Sequence, residues 1–405
     1  MPSLEESRPG VQESSLELAF KKGCLGHISI AVSRRCQIPC KPRVIRTRED
    51  LVVVILVDPA ERLSSKQKQI SISEFFEKNK HFLGFDTLQR SLITAVKEAV
   101  DNSLDACEES RILPEIRVEI NRLKGDRINL VTQDNGPGIP REDIENVFGK
   151  FLLGSRFHAI RQTRGQQGIG ITGVVMYSQL TAGSKTKVTS KIAKDSSAVF
   201  VELGIDTRRN KATKSGELRD IWIDGKTGVG IEHGLRIETE MRAKYQRGRQ
   251  SIHQYLRMTS IVNPHASISL VVRDRDGSTI EKGDWPRTTD KLPRTVSEIR
   301  PHPHGIQLGS LQRMLKESGE RKLTSFLRHN FSGVSMRAAR EILSASGLDE
   351  SRSPKRITAN EAQSMVSSFR KVKLLSPPTD CLSPIEDLLI KKGLSKAIDS
   401  RFAST

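Results

Sequence analysis

Long apolar runs are missing from this sequence. The longest, residues 51 to 57, falls far short of the ~20 residues that span a bilayer. No charged-then-apolar leader with a cleavage site opens the chain, so a soluble, intracellular protein without a membrane partner is expected. Cysteine is scarce, odd in number and scattered, at Cys24, Cys36, Cys40, Cys107 and Cys381, which excludes a disulfide framework and points to a reducing compartment. Cys24, His27, Cys36 and Cys40 imitate a metal site, but their spacing is irregular and no second cysteine pair follows, which argues against structural zinc. Aromatic residues are sparse at 4%, yet 36% hydrophobic and 28% charged residues exclude disorder throughout. Negative charge is short as well: 48 Asp and Glu against 66 Lys and Arg leave a formal net charge of +18 and a pI near 9.8. That surplus favours a polyanionic partner, nucleic acid before an acidic membrane surface, over a merely solvated basic surface.

A chain of 405 residues is too long for one ordinary core and suits two domains. Residues 1 to 65 mix Pro, Ser, Arg and Cys without sustained periodicity, apart from the apolar run, which reads as one strand. From residue 71 the pattern sharpens. Helices are expected over residues 74 to 79 and 86 to 109, and strands over 116 to 120 and 128 to 132. Further strands follow at 186 to 192, 198 to 205, 220 to 223, 235 to 241 and 267 to 273, with a helix at 248 to 260. The class is α+β, a mixed sheet with helices on one face. A connector carrying Pro286, Pro293, Pro301 and Pro303 leads into a helical stretch over residues 308 to 375.

Three local patterns carry chemistry. In K-E-A-V-D-N-S-L-D-A-C, Glu98, Asn102 and Asp105 fall at i, i+4 and i+7 and share one helix face, beside an apolar face of Leu92, Val96, Ala99, Ser103 and Ala106. Taken alone this is an amphipathic helix with a solvated acidic side. In D-N-G-P-G, Asp134 follows a strand and can accept a hydrogen bond from an exocyclic amine, while Gly136 and Gly138 let the backbone approach a flat ring. Taken alone it is turn chemistry. In Arg164-Gly165-Gln166-Gln167-Gly168-Ile169-Gly170-Ile171, three glycines precede an apolar helix-like run, a geometry that offers backbone N–H groups and a helix N-terminus to phosphate. In this order the three are far more specific than any one of them.

Together they resemble the ATP-binding fold shared by gyrase, Hsp90 chaperones, histidine kinases and MutL repair proteins, a superfamily without a Walker loop; no G-x-x-x-x-G-K-S/T occurs here. Within it the sequence is similar to the B subunits of type IIB DNA topoisomerases (topoisomerase VI) over residues 65 to 400. The match is carried by S-I-S-E-F-F-E-K-N-K-H-F-L-G-F-D, K-E-A-V-D-N-S-L-D-A-C-E-E, K-F-L-L-G-S-R-F-H and R-G-Q-Q-G-I-G-I-T-G-V-V-M-Y-S-Q-L.

The resemblance implies ATP and Mg2+ as cofactors. It makes Glu98 the general base toward water at the γ-phosphate and Asn102 the magnesium ligand, roles that a carboxylate and a hard amide oxygen suit. It makes Asp134, with Gly138, the reader of adenine, lays Ser155 and Arg156 along a nucleotide lid, and wraps Arg164, Gly165, Gln166, Gln167, Gly168, Ile169, Gly170 and Ile171 around the phosphates. Leu235 stands where the family often has threonine, near His233-Gly234, which puts one auxiliary contact in doubt. The implied organisation is an N-terminal extension over 1–65, an ATP-binding domain over 66–300, a helix–two-turn–helix domain over 301–375 and the start of a transducer domain over 376–405. The transducer of the family supplies a lysine to the γ-phosphate and docks the DNA-cleaving partner. Implied partners are DNA, a second copy on ATP binding, and a DNA-cleaving A subunit in a heterotetramer, in a cytoplasmic, nucleoid-associated, archaeal or other prokaryotic setting. Tyr177, Tyr245 and Tyr255 suggest no DNA-cleaving site in the chain itself. An alternative is an ATP-switched DNA-binding clamp with negligible hydrolysis for want of the transducer lysine.

Overall fold

In the computed structural model, residues 43–46, 51–54, 71–151, 153, 160–165, 168–207, 209–225 and 227–397 are described. The chain forms two compact units, Met1–Ile70 and Ser71–Thr405. In the first, β1 (Arg43–Arg46) and β2 (Leu51–Val54) pair antiparallel, so the apolar run does open with a strand. Cys24, His27, Cys36 and Cys40 lie outside the described residues.

The second unit opens with helix α1 (Ile72–Lys78), capped by the Ser71 hydroxyl, which accepts from the Glu74 N–H. Helix α2 (Leu88–Glu109) follows, with the Thr87 hydroxyl accepting from the Arg90 N–H. Its buried residues Leu92, Ala95, Val96, Ala99, Val100, Ser103, Leu104 and Cys107 recur at the spacing of a single stripe. Beneath it run β3 (Glu115–Arg122) and β4 (Arg127–Asp134), in which Ile116, Val118, Ile120, Ile128 and Leu130 alternate inward. Helices α3 (Arg141–Gly149) and α4 (Gly170–Ala182) come next. Then follow β5 (Thr186–Lys191), β6 (Ala198–Asp206), β7 (Lys211–Asp220), β8 (Gly234–Arg242), α5 (Ile252–Val262), β9 (Ser267–Arg273) and β10 (Thr279–Trp285).

The eight strands form one mixed sheet in the order β10-β9-β3-β4-β8-β5-β6-β7. Only the pair β3 and β9 runs parallel; every other neighbouring pair is antiparallel. Helices α2, α4 and α5 pack on it around one hydrophobic core, which bears out the α+β expectation. One expectation fails in detail. A strand is expected at residues 220 to 223, but β7 ends at Asp220 and Ile223 makes only an isolated bridge to Gly230. β7 is the outer strand and exposed along nearly all its length, so no burial imposed alternation on its sequence. For a similar reason β10, at the opposite edge, left no readable pattern.

A second core lies in the helices α6 (Leu308–Glu317), α7 (Leu323–Asn330), α8 (Met336–Ser346) and α9 (Ala359–Phe369). Phe326, Phe331 and Phe369 form its centre, with ring centroids 5.8 and 5.6 Å apart. Helix α9 begins with a reciprocal capping box between Thr358 and Glu361, and Glu361 also binds Arg352. Thr358→Ala is expected to lower stability by about 1 kcal/mol, read as a lower urea midpoint at unchanged slope. A last helix, α10 (Asp387–Ala397), packs against α5. Among the described residues no helix is long and apolar enough to cross a membrane.

Candidate functional site

A cavity of 1090 Å³ opens between α2, the turn after β4, helix α3 and the loop before α4. The candidate residues Glu98, Asn102, Asp134, Gly138, Arg164, Gly165, Gly168, Ile169, Gly170 and Ile171 all line it. Ser155, Arg156, Gln166 and Gln167 lie outside the described residues.

The end of the cavity at β4 is set by Asp134, a buried carboxylate on the last residue of that strand. Its Oδ2 accepts from the Ser103 hydroxyl at 2.6 Å and its Oδ1 from the Gly136 N–H at 2.9 Å. Burial pushes its pKa up, and bonds from Ser103, Gly136 and Leu235 pull the other way. Helical spacing puts Ser103 on the apolar face; in the structure its hydroxyl ties α2 to the aspartate turn. No periodicity distinguishes such a serine from a small core residue. The turn is held further by His233 Nδ1, 2.9 Å from the Gly136 carbonyl oxygen, and by Asn135, which accepts from the Glu115 N–H and donates to the Leu113 carbonyl. Gly138 has φ +73°, and an added methyl would overlap the Lys191 carbonyl, so glycine is required there for both conformation and space. Leu235 lines the same end of the cavity.

At the other end Glu98 and Asn102 project from α2 toward the glycine loop. Glu98 is half-buried and has no hydrogen-bond or ion-pair partner among the described residues. Burial raises its pKa, the neighbouring Asp101 charge raises it further, and Lys97 opposes both. Its carboxylate lies against Gly170, the first residue of α4: a methyl there would overlap Glu98 Oε2. Asn102 Oδ1 sits 3.1 Å from where a methyl on Gly165 would lie. Two glycines of the loop therefore face the two polar residues of the helix at close range. Gly168, with φ +58°, supplies the left-handed turn between them.

Phe85 forms part of the wall near the start of α2, stacked on Tyr177 of α4 at 4.9 Å and beside Phe76 of α1 at 5.5 Å. A methyl on Gly173 would meet both phenyl rings at ordinary van der Waals distance.

Two members of the expected constellation turn away from it. Asp105 lies beyond the cavity wall, where it binds Arg164. The Arg164 guanidinium, expected at the phosphates, donates to Asp105 Oδ1 at 2.7 Å, to both Glu108 oxygens at 2.8 and 2.9 Å, and to Asn263 Oδ1 at 2.6 Å. Burial works against its charge, but its bonds to Glu108 and Asp105, and their negative charges, outweigh this and raise its pKa. Burial alone would raise the Glu108 pKa, but its hydrogen bonds with His265 and Arg164, and their charges, hold it below the ordinary carboxylate range.

The family model described as "Histidine kinase-, DNA gyrase B-, and HSP90-like ATPase" matches residues 87–207, the stretch that supplies α2, the aspartate turn and the glycine loop. The B subunit of type 2 DNA topoisomerase 6 from Methanococcoides burtonii is 50% identical over 347 residues, 85% of this chain and 54% of that protein. Its namesake in Archaeoglobus fulgidus is 44% identical over 341 residues, 84% of this chain and 54% of that one. The chain thus spans about half the length of the curated relatives it matches. On the nucleotide fold, and on identity at this level along most of its own length, the chain belongs to the family of type 2 DNA topoisomerase 6 B subunits.

Proposed function

We propose that this chain is the ATP-binding and ATP-hydrolysing part of a type IIB topoisomerase, in which nucleotide drives two copies to dimerise and gates passage of one DNA duplex through another. The observation that carries the reading is the facing of Glu98 and Asn102 by Gly170 and Gly165 at one end of a cavity whose other end is a buried aspartate. Asp134 accepts from the adenine amine, with its second oxygen fixed by Ser103. The loop from Gly165 to Gly170 gives its N–H groups, and the N-terminus of α4, to the phosphates. Glu98 accepts a proton from the attacking water.

Asn102 offers an amide oxygen to magnesium, which when bound neutralises charge on the phosphates. The donor set fits that ion: Asn102 Oδ1 is a hard oxygen facing the glycine loop, and magnesium takes few protein ligands and completes its shell with phosphate and water.

The helices α6 to α9 act as a helix–two-turn–helix domain. Arg321, Lys322, Arg328, Lys355 and Arg356 are exposed there and have no carboxylate partner among the described residues, which supports contact with DNA phosphates. Arg337 and Arg340 of the same domain are instead paired with Glu341 and Glu350. Strand cleavage falls to a separate A subunit, and the working assembly is a heterotetramer.

The test is a titration of ATP with magnesium, by calorimetry, alongside the mass of the chain in sedimentation with a non-hydrolysable ATP analogue. Saturable binding and doubling of mass are expected. Absence of nucleotide binding would overturn the reading, and binding with neither doubling nor turnover would reduce it to a nucleotide-binding module.

A further inference from the structure

We infer that Arg164 is a positioning residue, not a phosphate ligand: it locks the glycine loop onto α2 and onto the turn between α5 and β9, and so sets the loop's register against Glu98 and Asn102. The inference rests on the nucleotide-site reading above.

Four observations carry it. The guanidinium spends its donors on Asp105 and Glu108 of α2 and on Asn263 of the turn, a fork that leaves little for a nucleotide. Its backbone N–H donates to Asp105 Oδ2 at 3.1 Å and that of Gly165 to the same oxygen at 3.3 Å, so the helix grips the loop at main chain as well as side chain. The turn completes the clamp: buried His265 places Nε2 2.9 Å from Glu108 Oε1, and Asn263 donates back to the Thr259 carbonyl. Upstream, the Gln162 N–H donates to the Cys381 carbonyl at 2.8 Å and its side chain accepts from the Ser383 N–H at 2.9 Å. The segment entering the loop is therefore anchored on both sides. The far side of the clamp faces a second cavity, of 560 Å³, whose lining includes Asn263, His265, Lys291 and Glu386.

A ligand and a positioner respond oppositely when Glu108 is removed. If Arg164 bound phosphate, Glu108→Gln would release its guanidinium and remove a negative charge near the nucleotide, and ATP would bind as well or better. With Arg164 as clamp, Glu108→Gln loosens the loop and ATP binds more weakly. Arg164→Lys keeps the charge and loses the fork, so a phosphate contact would survive it and the clamp would not.

The experiment measures ATP and adenosine affinities of the whole chain and of Glu108→Gln, Arg164→Lys, Arg164→Gln and the Glu108→Gln/Arg164→Gln pair. Each single change is expected to weaken ATP by about tenfold, to leave adenosine unchanged because the Asp134 end is separate, and to cost no more when combined. Retained adenosine binding reports an intact fold in each variant. Unchanged or tighter ATP binding by Glu108→Gln, wild-type ATP affinity in Arg164→Lys, or additive losses in the pair would overturn the inference. Should adenosine binding fail along with ATP in Glu108→Gln, Arg164→Lys decides between the two outcomes. If the unaltered chain binds no ATP, it is the nucleotide-site reading that fails.

Discussion

Glu98→Ala is expected to abolish steady-state ATP turnover, by roughly 10²–10⁴-fold, while ATP affinity stays within a few fold. The carboxylate stands at the first residue of α4, where the glycine loop proposed to hold the phosphates ends, and no side chain among the described residues occupies its lone pairs. It is free to take a proton. Its environment also dictates the pH profile. Burial and the Asp101 charge raise its pKa and Lys97 only partly offsets them, so the competent ionised form disappears at a higher pH than a solvated glutamate requires. Turnover should therefore fall with acidification on a limb displaced upward from the ordinary carboxylate range, and kcat against pH measures it. Stability supplies a second sign. A carboxylate whose folded pKa is raised favours the folded state only below its unfolded pKa, and that contribution is lost as pH rises through the folded value. Glu98→Gln should accordingly raise Tm at neutral pH while eliminating turnover, with the gain shrinking on acidification. A variant with normal turnover would remove Glu98 from the chemistry.

How much of this was legible beforehand depends on what each residue answers to. Helical spacing put Glu98 and Asn102 on one face and a strand running into D-N-G-P-G put Asp134 at a turn, but it took the order of the three patterns and the family resemblance to make them a candidate site. The helical second core was readable from its breaks and apolar spacing. Spacing places Asp105 on the face of Glu98 and Asn102 too, but does not say how far along the helix the cavity reaches. Almost two full turns beyond Glu98, Asp105 returns to the same face but about 10.5 Å further along the axis, past the cavity edge, and a charged residue at that border is claimed by whichever cation the fold brings near. Arg164 is that cation, and its partners Glu108 and Asn263 lie 56 and 99 residues away in sequence, beyond any local pattern. Ser103 was hidden for a related reason: its value lies in one bond to Asp134, 31 positions on. Strands β7 and β10 escaped because the sheet's edges ask for no alternation. Residues that answer to local periodicity could be read, and those whose part is fixed by a distant partner could not.

Gly170→Ala is expected to cut turnover by about 100-fold with little loss of ATP affinity or stability. Gly170 is not among the glycines with positive φ, so its backbone is open to alanine, and alanine is the better helix former. Glycine is needed there only for space. The added methyl would overlap Glu98 Oε2 and lie 2.6 Å from Glu98 Cδ. The obstructing atoms are the far end of a flexible side chain, so the fold yields by swinging the carboxylate aside and the core is left intact. Displacing a reacting group by about 1 Å costs on the order of 10²-fold in rate, while the loop N–H groups that hold the phosphates stay where they were. Affinity and rate therefore separate, as they would not if the loop itself were damaged. A kinetic comparison in the Glu98→Ala background decides the cause: once the carboxylate is gone the methyl has nothing to displace, and Gly170→Ala should add no further loss. An undiminished loss there would place the damage in the loop's hold on the phosphates, and the close approach of Gly170 to Glu98 would then be packing without catalytic consequence.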